Sequence, residues 1–298
     1  MPTWTAEVVV EPELAAELIA EQFPELAGRT PRLLGAGWDV TAYALDDEWV
    51  FRFPRRQIAV PGVELEIAVL PRLAPLLPVR VPVPELVGQP SDDFGWPFFG
   101  SRLIPGVEAG EYTGPRNVLA RELGEALRAL HSREVLDRLG GDLPDNPTQR
   151  AHMQLRAVPR ARERLAQIDD MWTPPPVVDE LLEQALRLPV PEPTAVCHGD
   201  LHFRHLLVRD GRLSGLIDWI DVCRADAAVD LQLYWSFFDA SERDEFLSAY
   251  GPIEDERLLR ARVIALFLNA MLATYARAER LPSIEREALA SLERTVSR

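Results

Sequence analysis

The stretch from Cys197 to Asp218 constrains this chain more than any other. It reads Cys197-His198-Gly199-Asp200-Leu201-His202-Phe203-Arg204-His205-Leu206-Leu207-Val208, turns at Asp210-Gly211, and returns through Leu213–Ile217 to Asp218-Trp219. Short apolar runs bounded by polar turn residues read as strands. The pattern therefore predicts a loop carrying Asp200, a strand, a tight turn and a return strand. Asp218 then falls just past the end of that return strand, and a hydrogen-bonding side chain five residues after Asp200, His205, converges on the same point.

Two chemistries fit this cluster. His198, Asp200, His202 and His205 are all ligand types for a divalent ion, and with Asp218 as a bridging ligand they would suit a metal-dependent hydrolase. Phosphoryl transfer asks for a similar set: a carboxylate that accepts the proton of an attacking hydroxyl, and two ligands for the magnesium ions that neutralise nucleotide phosphates.

The preceding chain favours a second region with its own architecture. Leu14, Leu18, Ile19, Phe23 and Leu26 recur at helical spacing and predict a helix over 11–27 ending near Gly28. Strands follow at Arg32–Leu45 and Trp49–Phe53, joined by Asp46-Asp47-Glu48, and the first of these carries Gly35-Ala36-Gly37. Arg52 and Arg55 alternate with Val50, Phe51 and Phe53, so at least one guanidinium needs an anionic partner. Glu66, on a short helix expected to be interrupted by Pro71, could supply it. Trp96–Ile104 predicts one more buried strand, ended by Pro105-Gly106, and beyond it helical patterns dominate: 115–131, 150–168, 177–188, 226–238, 241–250, 254–279 and 284–296. This divides the chain into residues 1–104 and 105–298.

Taken together, these segments resemble the aminoglycoside and macrolide phosphotransferases, antibiotic kinases with a protein-kinase-like fold. His-Gly-Asp-Leu-His and Gly-x-Ile-Asp-Trp carry the likeness, and Asp226-Ala227-Ala228-Val229-Asp230-Leu231 is similar to the family's Asp-Pro-Ala-x-Asp-Leu helix start. The resemblance implies an α+β fold of two lobes, an antiparallel nucleotide-binding sheet followed by a mainly helical lobe. It implies Asp200 as catalytic base, His205 and Asp218 as Mg2+ ligands, and His198, His202 and Asp230 as loop supports. For nucleotide it implies Gly35, Ala36, Gly37, Trp38 and Asp39 as the phosphate loop, Arg52 as phosphate ligand with Glu66 as its partner, and Arg102, Leu103 and Ile104 as the hinge that reads the purine. The family's usual lysine is replaced by Arg52, in a chain whose 32 basic residues are all arginines. Histidine at position 205 is similar to the macrolide and 2″-directed aminoglycoside enzymes, which implies either ATP or GTP as donor. The substrate is expected in the helical lobe, with Asp221, Trp235, Asp239 and Glu242 as lining candidates.

Composition narrows the partners. A formal charge of −15 and a pI near 4.9 argue against nucleic acid and anionic membrane surfaces. The same charge suits a small hydroxyl substrate that is cationic. Cys197 and Cys223 form no disulfide framework, the N-terminus lacks the regions of a signal peptide, and no unbroken run of about 18 apolar residues occurs, so a cytoplasmic protein is expected. Against the leading expectation, a small-molecule kinase, stand a nucleotide-binding relative with a regulatory role and the metal-dependent hydrolase.

Overall fold

A computed structural model describes residues 5–297, and the chain divides into two compact units. The first gathers residues 5–75, Arg80–Pro105 and Trp219–Asp221; the second gathers Leu76–Val79, Gly106–Asp218 and the chain from Val222 onward.

The first unit is built on a five-stranded antiparallel sheet. Helix α1 (Pro12–Gln22) precedes strands β1 (Pro31–Ala36), β2 (Val40–Leu45) and β3 (Trp49–Pro54). Helix α2 (Val60–Leu73) then leads to β4 (Pro84–Gly88) and β5 (Phe98–Arg102), and the spatial order is β1-β2-β3-β5-β4. Alternation along β3 turns Phe51 and Phe53 into a core shared with Phe23, Phe94 and Phe98, where the Phe53 and Phe98 rings stack at 4.7 Å. Strand β5 passes this core only because Gly100 has no side chain: a Cβ there would stand 2.8 Å from the Phe51 ring.

Two expectations need correction here. The first helix stops at Gln22 and not near Gly28, because Pro24 starts a separate 3-10 turn, Pro24–Leu26. Pro71 does not interrupt α2. The proline removes one backbone donor only two residues before the helix ends, and Val69, Leu70 and Leu73, all fully buried, hold that last turn by packing. Trp219–Asp221 belongs to this unit through contact with α2, whose Gly62 lies so close to Ile220 that a Cβ would stand 2.4 Å from Cγ1.

The second unit is mainly helical. It opens with β6 (Val107–Glu108), α3 (Asn117–Leu130) and α4 (Arg133–Leu139), then a π-helical turn at Met153–Ala157 that runs into α5 (Val158–Ala166), and α6 (Val177–Ala185). Strands β7 (Ala195–Cys197), β8 (Leu206–Arg209), β9 (Arg212–Leu216) and β10 (Cys223–Ala225) follow, then helices α7 (Ala228–Ser236), α8 (Ala240–Tyr250), α9 (Asp255–Ala278) and α10 (Pro282–Val296). Two small sheets, β6-β8-β9 and β7-β10, hold the loops between them. Neither α4 nor β10 was expected; α4 is started by Ser132, whose Oγ accepts from Val135 N at 3.3 Å.

Helix α9 is long and apolar enough to cross a bilayer, with a mean hydropathy of 1.4 over 18 residues. A run of that kind had not been expected from the sequence. Within this unit 72% of that window is buried, where α9 packs against α5, α6, α7 and α10 as its central core helix.

Candidate active site

The loop from β7 to β8 carries Asp200, His202 and His205, and buried side chains of α7 shape it. Asp230 is fully buried, and its carboxylate accepts from His198 N at 2.7 Å and from Gly199 N at 3.1 Å. The Nε2 of His131 lies 3.2 Å from the same carboxylate. Gln232, one turn face away, donates to Leu201 O at 2.5 Å and accepts from Ser236 Oγ at 2.9 Å. Two consecutive amides that no helix or sheet satisfies are thus paired with a carboxylate. A buried backbone needs such partners, and a buried carboxylate needs such donors.

The hydrogen bonds of the three histidines assign their ring protons. The His198 Nδ1 accepts from Asp200 N at 3.3 Å, so its Nε2 carries the proton and donates to Ile217 O at 2.9 Å. Burial lowers its pKa below the ordinary histidine value, in keeping with a neutral ring. His202 likewise accepts at Nδ1, from Arg204 N at 3.3 Å, which leaves Nε2–H facing Asp200 Oδ2 at 3.8 Å. Burial first, and then the neighbouring His205, hold its pKa well below the usual range. His205 is the reverse case. Its Nδ1 donates to the carbonyl of Asp200 at 2.7 Å, because a carbonyl only accepts.

The other ring nitrogen, Nε2, faces Asp218 Oδ2, 3.4 Å away. When that nitrogen carries no proton both groups are acceptors, and a cation can stand between them. A hard divalent ion fits this pair, the carboxylate supplying charge and the imidazole a second donor atom. The backbone presents Asp218 in an unusual way: its φ is +65°, and the preceding Ile217 N is tied to His205 O at 3.0 Å. Of the wider zinc-type cluster read from the sequence, Asp200, His202 and His205 bring one ligand atom each within 4.8 Å of one another, and His198 stands outside that group. Both ring nitrogens of His198 are engaged in hydrogen bonds, and His202 directs a protonated nitrogen toward the acid. A second grouping, His131, Cys197 and Asp230, is a hydrogen-bond network: the thiol, pushed up by burial, contacts Asp226 O at 3.7 Å, and His131 Nδ1 lies 2.9 Å from the Tyr250 hydroxyl.

Asp200 itself is one-fifth exposed, at 21%, and has a partner that sequence reasoning missed. Arg150 Nη1 donates to Gly199 O at 2.5 Å and to Asp200 Oδ1. Fifty positions separate these residues, and nothing in the pattern around Arg150 points to the loop.

In the first unit, Arg52 Nη2 lies 3.3 Å from Glu66 Oε2, both side chains being buried. The other carboxylate oxygen of Glu66 accepts from Trp219 N at 3.0 Å, so one side chain of α2 serves both a strand and the segment after Asp218. Gly35, Ala36 and Gly37 lie exposed at the end of β1, with Trp38 and Asp39 half-buried. The turn closes through Gly37 N to Val40 O at 2.9 Å, and Asp39 is held by Arg56, Nε to Oδ1 at 3.1 Å. At the expected hinge the Leu103 amide is committed to Glu48 O at 2.8 Å. The Arg102 side chain turns outward onto Trp49, 3.8 Å from the ring centroid, and pairs with Glu48 and Glu85. Ile104, half-buried, follows Leu103 toward the end of the unit.

A family model described as the phosphotransferase enzyme family matches residues 30–262, which takes in the Gly35–Asp39 loop, the Arg52–Glu66 pair and the whole Asp200–Asp218 hairpin. The chain belongs to this phosphotransferase family. A curated relative, the uncharacterised protein YcbJ of Bacillus subtilis (strain 168), is 28% identical over 222 residues, 70% of each chain. Among solved structures, the GDP and kanamycin complex of APH(2")-IIIa superposes with a TM-score of 0.69 at 21% identity, covering 94% of this chain and 97% of the other. Macrolide 2'-phosphotransferase MphH of Brachybacterium faecium gives 0.61 at 24% identity, covering 94% and 98%. Spectinomycin phosphotransferase APH(9)-Ia with ADP and spectinomycin gives 0.65 at 15%, covering 97% and 99%. The fold is that of the antibiotic kinases, α+β with an antiparallel sheet and many helices.

The substrate residues expected in this phosphotransferase have other employment. Asp239 and Glu242 form a capping box at the start of α8: Asp239 Oδ1 accepts from Glu242 N at 2.9 Å, and Glu242 Oε2 accepts from Asp239 N at 2.9 Å. Glu242 also accepts from Arg116 N at 3.2 Å. Trp235 donates to Leu258 O at 2.9 Å, with the guanidinium groups of Arg262 and Arg243 at 4.3 and 4.8 Å from its ring. Asp221 falls with Trp219 and Ile220 in the first unit and not in the helical one.

Proposed function

We propose that this phosphotransferase carries the terminal phosphoryl group of ATP or GTP to a hydroxyl of a small molecule, an antibiotic such as an aminoglycoside or macrolide or a similar metabolite, in the cytoplasm. The observation that carries the reading is the His205–Asp218 pair, Nε2 facing Oδ2 at 3.4 Å, joined through one hydrogen bond to Asp200. Asp200 accepts the proton of the acceptor hydroxyl. As the acceptor oxygen bonds to the terminal phosphorus, the bond to the bridging oxygen breaks and the nucleoside diphosphate leaves with that electron pair. His205 and Asp218 would hold Mg2+, which when bound supplies positive charge to the phosphates. In the first unit Arg52, braced by Glu66, is a guanidinium suited to nucleotide phosphate, and Asp230, His198 and His202 hold the loop in register. Positioning and electrostatics supply the catalysis, with no covalent enzyme intermediate. The solved relatives bound to GDP or ADP, with kanamycin or spectinomycin, support both the donor class and a small acceptor.

The experiment is a panel of ATP and GTP, with Mg2+, against aminoglycosides, macrolides, peptide antibiotics and amino alcohols, read by product mass. A product heavier by one phosphoryl group, formed only with nucleotide, is expected. A second reading, a relative that binds nucleotide and turns over nothing, draws on the Arg150 contact with Asp200. Nucleotide binding with no product from any acceptor would favour it.

A further inference from the structure

Arg150 meets Asp200 from a segment that is itself tied down on both sides. Before it in the chain, Arg224 of β10 accepts from Asn146 N at 2.7 Å through its carbonyl and donates its amide to Pro144 O at 2.9 Å. The Arg224 guanidinium grips the Asp145 carboxylate with two bonds, Nε to Oδ1 at 2.5 Å and Nη2 to Oδ2 at 2.6 Å. After Arg150, the carbonyl of His152 accepts from Arg156 N and Ala157 N at 3.0 Å, and its Nδ1 accepts from Leu155 N at 3.2 Å. Ala151 and Met153 are fully buried.

Two residues of this strap, Asn146 at φ +38° and Gln149 at φ +53°, take the left-handed backbone that costs a side chain free energy. Such conformations persist where their surroundings over-determine them, and they cluster where position matters to chemistry. The strap also shares its anchor with the base. Arg224 is paired in register with Val196 of β7, the strand that leads into the Asp200 loop.

The backbone of Asp200 is fixed at both ends, its N donating to His198 Nδ1 and its O accepting from His205 Nδ1, but neither bond restrains rotation of the side chain. Arg150 supplies that restraint. Its Nη1 donates to Gly199 O at 2.5 Å and to Asp200 Oδ1, so one nitrogen sets the carboxylate against the backbone just before it. The oxygen held in this way is Oδ1. Oδ2 faces His202 Nε2 at 3.8 Å, beyond hydrogen-bond length, and the side chain keeps one-fifth of its exposure. An ionised carboxylate accepts at both oxygens, so a hydroxyl still has an acceptor at Oδ2.

We propose that Arg150 is a positioning residue for the base: held by the strap, it fixes the rotation of the Asp200 carboxylate so that Oδ2 is the oxygen that meets the acceptor hydroxyl. The inference rests on the kinase reading above, in which Asp200 takes the proton of that hydroxyl. It assigns the Arg150 contact to an active enzyme and not to a silenced one.

The test measures phosphoryl transfer by the full chain from ATP and from GTP, with Mg2+, to kanamycin, erythromycin, viomycin, ethanolamine and water. With the pair that turns over fastest, Arg150→Gln should lower kcat by about 10- to 100-fold, the order of loss that a misplacement of about 1 Å brings, and leave both KM values within about threefold. Arg150→Lys, which keeps a charged donor, should recover part of kcat, separating a lost contact from a damaged fold. In an Asp200→Asn background, Arg150→Gln should lower kcat no further, because it acts through the carboxylate. A kcat in Arg150→Gln equal to the parent's would overturn the proposal, and so would a higher one, which would mark a latch. A loss of the same size in the Asp200→Asn background would overturn it too, since the arginine would then act elsewhere. The parent reading fails separately: a chain that transfers phosphate to none of the five, and stays inert as Arg150→Gln, removes the kinase and the proposal together, whereas turnover that Arg150→Gln leaves untouched removes the proposal alone.

Discussion

The Nδ1–H of His205 donates to the backbone carbonyl of Asp200 at 2.7 Å, and that bond aims the opposite nitrogen of the ring at Asp218. The backbone of the residue that would take the proton thereby orients the residue that would hold the metal. Replacing His205 by Ala should raise the Mg2+ concentration needed for half-maximal phosphoryl transfer by at least about tenfold, the loss typical of a ligand or its support. His205→Asn, which restores an oxygen donor, should recover part of it. A magnesium titration at fixed GTP checks both, and an unchanged midpoint in the alanine variant would remove His205 from the metal site.

Asp200→Asn keeps the shape of the loop and removes the proton acceptor. Phosphoryl transfer should fall by about 10²–10⁴-fold, the usual contribution of a positioned base. GDP affinity, measured by calorimetry, should stay within a factor of two or three. Turnover near the parent rate would require another base.

Asp230→Ala leaves the amides of His198 and Gly199, and one nitrogen of His131, without their acceptor in a fully buried setting. Each unsatisfied group costs roughly 1–3 kcal/mol, and since such losses do not add fully, a destabilisation of about 3–5 kcal/mol is expected. Urea unfolding checks this. A loss below about 1 kcal/mol would mean that the loop finds other partners.

Glu66→Ala strips a buried guanidinium of its carboxylate and should destabilise the protein by about 3–5 kcal/mol. The double change Arg52→Met with Glu66→Leu should recover much of this stability, because an apolar pair of similar volume carries no desolvation penalty. Nucleotide binding should not recover with it. If binding returns with stability, Arg52 has no part in holding phosphate.

Asp239 gives a pH-dependent test away from the chemistry. The backbone amide of Glu242 holds the Asp239 carboxyl below the usual carboxylate range. Its folded value lies below its unfolded one, so its contribution is present above about pH 4 and is lost as the pH falls through the folded value. Asp239→Ala should therefore cost about 1 kcal/mol at pH 7 and little near pH 2, whereas Asp239→Asn keeps a neutral cap at both. Urea midpoints at the two pH values decide the matter, and an equal loss at both would assign the effect to packing.

Much of the fold and of the loop geometry was legible because it is local in sequence. The hairpin that brings His205 to Asp218 needs only two apolar runs and the Asp210-Gly211 turn, and the strands of the first sheet announce themselves by alternation and turn residues. What sequence could not show was long-range pairing. Arg150 meets Asp200 across fifty positions, and Trp219 N meets Glu66 across more than a hundred, with no periodicity to betray either. The substrate candidates show a different kind of gap. Asp239-x-x-Glu242 ahead of a helix is itself the capping-box pattern, which satisfies backbone groups at the start of α8 that would otherwise lack partners. At Pro71 a local rule lost to packing, since the buried apolar residues around it outweigh one missing hydrogen bond.

Asp218 sits at φ +65°, a region that costs most side chains about 1–2 kcal/mol and glycine almost nothing. A survey of substitutions scored on folding alone would therefore favour glycine at the position that would anchor the metal. Stability and chemistry pull in opposite directions at this residue, and a library sorted for thermal resistance would enrich well-folded, inert phosphotransferases unless activity were selected alongside.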